Sequence, residues 1–384
     1  MSLFVKNSNS SLRFCLNVLK FFGFLAKLQG NNKKCYTAYW VFWFMFIVGF
    51  IIIAQAGDML QIWGDIPLMT SAAFLLFTNL ALATKIINLV TRRPKIQAII
   101  DEADEELLAE DREEGVEIVK NCNRETSSCL GVFMWLSAMT VFGWACSAEK
   151  NQLPLRAWYP YDTSYTPAYE LTYVNQSSSL IISALVNVCL DTLVTSLIAL
   201  CRCRLRLVRL SLRTLCDGIP INEKQLINSV EEKTVCSRLR NCVLKHESAL
   251  KAAAQIQACF SEPILAQFTV STVIICVTAY QLAMELSKRN WIRIVAMVAY
   301  LLCMMLQVFL YCYQGNQLSH ESSEIASTAY KCPWYACSVR FRRALLIVMV
   351  RSRRMAKLTA GGFTTLSLAS FMSVSDLIIY IEMK

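Results

Sequence analysis

Histidine is almost missing from this chain. Two occur in 384 residues, His246 and His320, which leaves little imidazole for metal ligation or for proton transfer near neutral pH. Charged residues are scarce as well, at 17% against 55% hydrophobic. The sequence carries no nucleophile elbow, no phosphate-cradling glycine loop and no metalloprotease helix. Cysteine is plentiful at 17 residues, yet Cys332 and Cys337, with four residues between them, have no second pair to complete a zinc set. No metal, cofactor or enzymatic activity is therefore expected. A cleavable signal peptide is also not evident. The first 34 residues mix Asn7, Ser8, Lys20, Asn31 and Lys33 and lack a small-residue cleavage site behind a short apolar core. The first apolar run is expected to act as its own insertion signal.

What the chain does have is long apolar runs. Its length would allow roughly two or three soluble domains, but crossing ~30 Å of hydrocarbon takes about 20 helical residues. Six charge-free windows meet that need: Cys35–Gly57, Ile66–Thr84, Thr126–Ala148, Pro263–Met284, Ile294–Tyr313 and Leu358–Ser375. Ser178–Leu200 makes a seventh if its single charge, Asp191, is tolerated. Soluble cores do not supply seven such runs. The expected class is an all-α, polytopic membrane protein with seven transmembrane helices. Apart from Asp191 and the chain end, the spans hold no ionisable side chain, whereas a membrane-buried catalyst would show several.

Lysine and arginine set the orientation, because cytoplasmic loops collect them. The N-terminal tail holds 6, and the segments after spans two, four and six hold 7, 11 and 8. The intervening segments hold 0, 2 and 3, and the C-terminal end 1, a division of 32 against 6. This puts the N-terminus in the cytoplasm and, with seven spans, the C-terminus outside. Lys288, Arg289 and Arg293 fall on the assigned outer side and are outvoted by the total. The +10 net charge is thereby a topology signal, and no nucleic-acid partner is needed to explain it. A G-protein-coupled receptor has seven spans of the opposite polarity. The outer loop 149–177 also has no cysteine to tie to span three, and no Asp-Arg-Tyr ends that span. The sequon Asn175-Gln-Ser177 falls outside, where Asn175 is open to glycosylation, while Asn9-Ser-Ser11 falls inside and should be silent.

Ten acidic residues crowd the inner segment between Asp101 and Glu117; they suit a solvated helix face better than a cation vestibule. The outer loop after span three is aromatic (Trp158, Tyr159, Tyr161, Tyr165, Tyr169), fitting a lid at the membrane interface or plain anchoring. Asp191 reads either as a functional carboxylate or as one bonded to a neighbouring helix, and Gln307 is expected to bond a neighbour in the same way, with a pore or ligand role as the alternative. Past span four, Arg202, Arg206, Arg209 and Arg213 recur at helical spacing beside a stripe of Leu205, Val208, Leu212 and Leu215. A break comes at Asp217-Gly-Ile-Pro220. A second helical stretch runs from Asn222 to Phe260, with a boundary near Pro263. Spans four and five are thus expected to extend into a cytoplasmic bundle where subunits meet.

The C-terminal part carries a denser signal. Gln307-Val-Phe-Leu-Tyr-Cys-Tyr-Gln-Gly-Asn-Gln-Leu318, Glu321-Ser-Ser-Glu-Ile-Ala326, Tyr330 and Trp334-Tyr335 resemble the insect odorant receptors. So do Phe341-Arg-Arg-Ala-Leu-Leu346, Leu358-Thr-Ala-Gly-Gly-Phe363, Leu366-Ser367 and Phe371. Upstream, the His246 segment, Phe260, Gln267-Phe268 and Ile275-Cys276 look similar. The likeness is dense over 240–375 and diffuse before it. It implies a ligand-gated, nonselective cation channel in the plasma membrane of olfactory sensory neurons, opened by a volatile odorant. It implies a hetero-tetramer with a shared co-receptor. This chain looks like the tuning subunit, since it lacks the long cytoplasmic insertion typical of the co-receptor. A gustatory receptor of the same superfamily is the alternative, with a G-protein-coupled chemoreceptor behind it.

Under that resemblance the chain divides into a cytoplasmic N-terminal segment (1–34), spans one to four with the outer loop (35–200), cytoplasmic helical extensions of the anchor (201–262), spans five and six (263–313), a further anchor segment (314–357) and a final pore-lining helix (358–384). The odorant is expected in the outer half of one subunit. A pocket for a volatile should be mostly apolar and aromatic with one or two polar groups, and spans two to five offer Phe74, Phe77, Trp135, Met139, Thr140, Ile181, Ser183 and Tyr280. The gate is expected at Val374, Leu377, Ile378 and Ile381. There the chain departs from the family: after Phe371 it reads MSVSDLIIYIEMK, with Asp376 and Glu382 where the family usually has an apolar end. Acidic side chains in a pore favour cations.

Overall fold

The computed structural model describes residues 10–25, 33–108, 110–146, 153, 157–163, 165–219, 229–286, 291–373 and 376. A short amphipathic helix, α1 (Ser10–Phe21), comes first. α2 (Lys33–Phe44) passes through a π turn (Met45–Gly49) into α3 (Phe50–Gln61). Asp65 then caps α4 (Ile66–Thr91), its Oδ1 accepting from the Leu68 amide at 3.2 Å. There follow α5 (Arg93–Leu108), α6 (Glu113–Cys146), α7 (Ala168–Arg213), α8 (Ser229–Leu286), α9 (Trp291–Lys331) and α10 (Val339–Ser352). Last comes a hairpin of β1 (Thr359–Ala360) and β2 (Thr364–Thr365).

The bundle is built round α7, which packs against α1, α6, α8 and α9. Every residue from Val188 to Leu205 is buried, the charged Asp191, Arg202 and Arg204 among them. Among the described residues, six helical stretches are long and apolar enough to cross a membrane: Lys34–Gln61, Leu68–Thr91, Glu113–Trp144, Ala168–Arg213, Val230–Ala283 and Trp291–Lys331. They contain or overlap the first six expected spans in chain order.

Three details depart from the sequence reading. α8 runs straight through Pro263, where a boundary is expected. Proline there removes the N–H that would bond the carbonyl of Cys259. That carbonyl accepts instead from Asn88 Nδ2 at 3.1 Å and Arg92 Nη1 at 2.8 Å, so neighbouring side chains make the proline tolerable. Secondly, the expected final span does not start at Leu358. Thr359 pairs with Thr365 and Ala360 with Thr364, across a turn in which Gly361 and Gly362 take φ of +60° and +79°. Such values suit glycine and break a right-handed helix, so helical turns begin only at 368. The hairpin docks on α8, where Gln257 brackets the Thr359 backbone, donating to its carbonyl at 3.0 Å and accepting from its amide at 2.8 Å.

The third concerns the charged end. Leu205, Val208, Leu212 and Leu215 are buried as their spacing predicts, but the neighbouring arginines meet carboxylates. Arg202 pairs with Glu125 at 2.6 Å, and Arg206 and Arg209 share the buried Glu321 at 2.6 and 2.5 Å. Members of the acidic crowd are engaged too: the partly exposed Glu102 accepts from Ser248 at 2.8 Å, and Glu110 is buried beside Arg112 and Lys245. Burial pushes the Glu110 carboxyl up, yet Arg112 and Lys245 hold it below its usual range.

Candidate ligand-binding site

Four helices close round a cavity of about 90 Å³ at the end of the bundle away from the arginines. α4 supplies Leu75, Thr78, Asn79 and Leu82; α6 supplies Phe133, Ser137, Thr140, Val141 and Trp144. α7 adds Leu180, Ser183, Ala184, Asn187 and Val188, and α9 adds Tyr300, Cys303 and Met304. The wall is apolar and aromatic with a few hydroxyls and amides and no charged side chain, the usual make-up of a small-molecule site. Thr78 and Tyr300 join hydroxyls across it at 2.7 Å. The Thr140 and Ser183 hydroxyls donate to the Leu136 and Leu180 carbonyls, both at 2.9 Å, and Asn79 donates to Gln55 at 3.1 Å.

A buried polar junction adjoins the cavity at Asn187. The Lys85 ammonium of α4 reaches Asp191 Oδ1 of α7 at 2.6 Å and Asn187 Oδ1 at 2.9 Å. From α9, Tyr311 donates to Asp191 at 2.8 Å and Gln307 Nε2 to its other oxygen. Gln267 of α8 donates to Gln307 at 3.0 Å. One carboxylate thus draws three helices together, and Gln307 links in the fourth, which is how an ion pair can be held out of water. Asp191 and Gln307 are bonded to neighbouring helices, the plainer of the readings that their sequence allows. Lys85 was missed because the apolar window ends at Thr84. Its signal was a cation just past one apolar run and an acid within another.

The residues predicted for the pocket separate. Thr140 and Ser183 line the cavity, and Phe77 packs behind it against the cluster of Tyr300 and Met304. Trp135, Met139, Ile181 and Tyr280 lie on outward faces, at 63%, 37%, 56% and 51% exposure, and do not line it. They are apolar, but in a membrane a lipid-facing side and a pocket wall draw on the same residue types. Phe74 lies in α4, its side chain outside the described residues, as are the gate residues Val374, Leu377, Ile378 and Ile381 entirely. A larger space of about 810 Å³ opens at the opposite end, lined by Glu114, Glu117, Arg206, Arg209, Arg213 and Lys331 among others. Its charged walls suit water and ions, not an apolar volatile.

The aromatic loop that precedes α7 folds onto the bundle near the cavity. Trp158 donates its amide to the Ala54 carbonyl at 3.0 Å and packs on Gly57. Tyr159 accepts from Gln176 and Tyr161 bonds Thr172, both at 2.8 Å, on the first turns of α7. Asn175 lies exposed on the same turns.

A family model described as 7tm Odorant receptor matches residues 65–379. Odorant receptor 2a of Drosophila melanogaster is 24% identical over 266 residues, 67% of either chain. Odorant receptor Or1 of Anopheles gambiae is 23% identical over 342 residues, covering 82% of this chain and 79% of its own. The structure of the insect olfactory receptor OR5 from Machilis hrabei in complex with eugenol matches with a TM-score of 0.78 over 96% of both chains, at 16% identity.

Proposed function

This chain belongs to the 7tm odorant receptor family, and from that premise we propose that it is the tuning subunit of a ligand-gated, nonselective cation channel. It is an all-α, multi-pass membrane protein. A neutral volatile odorant binds in the cavity between α4, α6, α7 and α9, and binding favours the open state of a central pore to which the chain end contributes. Ligand binding gates only if the two states hold the odorant differently. The observation that carries this reading is the cavity itself: apolar, small, free of charge and joined through Asn187 to a junction that touches four helices.

The rest of the reading follows from charge and family. The lysine and arginine division supports a cytoplasmic N-terminus and an extracellular C-terminus, with the cavity in the outer half and Asn175 glycosylated. The arginine-rich end of α7, the ends of α8 and α9 that pack on it, and α10 form the anchor at which this subunit meets a co-receptor in a hetero-tetramer, in the plasma membrane of olfactory sensory neurons. Whole-cell current with G-protein signalling blocked, recorded with and without a co-receptor over an odorant panel, tests this. The expected result is an odorant-evoked cation current that needs both subunits. A response that disappears with the G-protein block overturns the proposal.

A further inference from the structure

Asn187 has one end at the cavity and the other in the polar junction. It lines the cavity, and its Oδ1 accepts from Lys85 Nζ at 2.9 Å. An ammonium has three donors and no acceptor, so this contact fixes which end of the amide is which. The carbonyl end faces Lys85, which is not part of the cavity wall. The NH₂ end is the one left for the cavity, and no acceptor on the described residues meets it.

The amide is also held in that sense. Lys85 is clamped to Asp191 at 2.6 Å, and Asp191 is clamped by Tyr311 at 2.8 Å and by Gln307. A flip of Asn187 would set its N–H groups against an ammonium and leave the carbonyl without its donor, an unfavourable exchange in a buried place. Elsewhere on the wall, the Thr140 and Ser183 hydroxyls give their protons to backbone carbonyls, and Asn79 gives an N–H to Gln55. The two hydroxyls thereby turn acceptors to a ligand, whereas Asn187 turns a donor.

We propose that Asn187, aimed by Lys85, is a specificity-determining residue that selects short neutral volatiles carrying a carbonyl (ketone, aldehyde or ester) over alkanes of equal size. The proposal rests on the cavity being the odorant site. An uncharged wall excludes ionised ligands, because a buried charge without a partner is costly. A carbonyl oxygen accepts from the Asn187 NH₂ while its alkyl arms cover the apolar wall. A pocket built to hydrogen-bond one ligand group discriminates strongly against the analogue lacking it.

The test uses 2-pentanone, 2-pentanol and pentane on the purified full-length protein, read by sealed-cell calorimetry, and in parallel on the co-expressed channel, read by current. Wild type should bind 2-pentanone about three- to tenfold more tightly than pentane. N187D keeps the shape but replaces the donor by an acceptor, so 2-pentanol should overtake 2-pentanone. Asn187→Leu removes both ends of the amide and should bring 2-pentanone and pentane within about twofold of each other. Folded protein in which either variant keeps the wild-type ratio of ketone to alkane overturns the inference. Wild-type protein that binds none of the three probes overturns the cavity reading and this inference with it. Selective binding without evoked current overturns the channel reading alone, and the role of Asn187 stands.

Discussion

Lys85 and Asp191 are 7% and 2% exposed at the side chain and stand 2.6 Å apart. Neither could be buried alone, since an unpaired ion in a low-dielectric interior costs several kcal/mol. Together with Tyr311, Gln307 and Asn187 they make a satisfied set. Asp191→Asn keeps the shape but strands the ammonium, and should destabilise the protein by about 3–5 kcal/mol. Lys85→Met with Asp191→Leu removes both ions and should recover most of that loss. Thermal denaturation of the detergent-purified protein checks the order: wild type and double variant near each other, single variant well below. At this scale the sequence was half legible. Asp191 and Gln307 stand out because a polar atom in an apolar run must find a partner. Trp135, Met139, Ile181 and Tyr280 could not be sorted from wall residues, because hydrophobicity does not separate lipid from pocket. That took the rotation of each helix, which packing sets.

Between residue and bundle, the segment before the last helix shows how local geometry overrides an apolar run. Composition over Leu358–Ser375 reads as a span, yet two glycines at positive φ fold its start into a hairpin. The hairpin is seated by close approach. A Cβ added to Gly315 of α9 would meet Leu366 Cβ at 2.5 Å. Gly315→Val should therefore unseat the hairpin, at about 1–3 kcal/mol for an overpacked contact. Hydrogen exchange should quicken at 358–366, where the Leu366 amide now bonds the Leu358 carbonyl at 2.8 Å, and stay slow in the core of α7. Equal protection in variant and wild type would mean that the hairpin is not held there. Pro263 teaches the same lesson in reverse. As a local signal it ends a helix, but the side chains that rescue the Cys259 carbonyl come from residues 88 and 92, too distant in sequence for any local pattern to reveal.

The molecule as a whole is polarised about α7, with an apolar cavity towards one end and ion-paired arginines at the other. The membrane class and the order of its first six spans were legible because each rests on composition summed over about 20 residues. The stripe at Leu205, Val208, Leu212 and Leu215 was legible for the same reason, as a period of helix. The cavity was not, since it exists only where faces of four helices meet. The most direct test of an odorant acting in that cavity is the evoked current of Ala184→Phe beside Ile181→Ala, both matched to wild type for surface expression. Ala184 lines the cavity, whereas Ile181 is 56% exposed on the same helix. Filling the space should raise the half-maximal odorant concentration by about tenfold or more, and trimming Ile181 should leave it within about twofold. An unchanged response in Ala184→Phe, with a weakened one in Ile181→Ala, would place the odorant elsewhere and contradict the account.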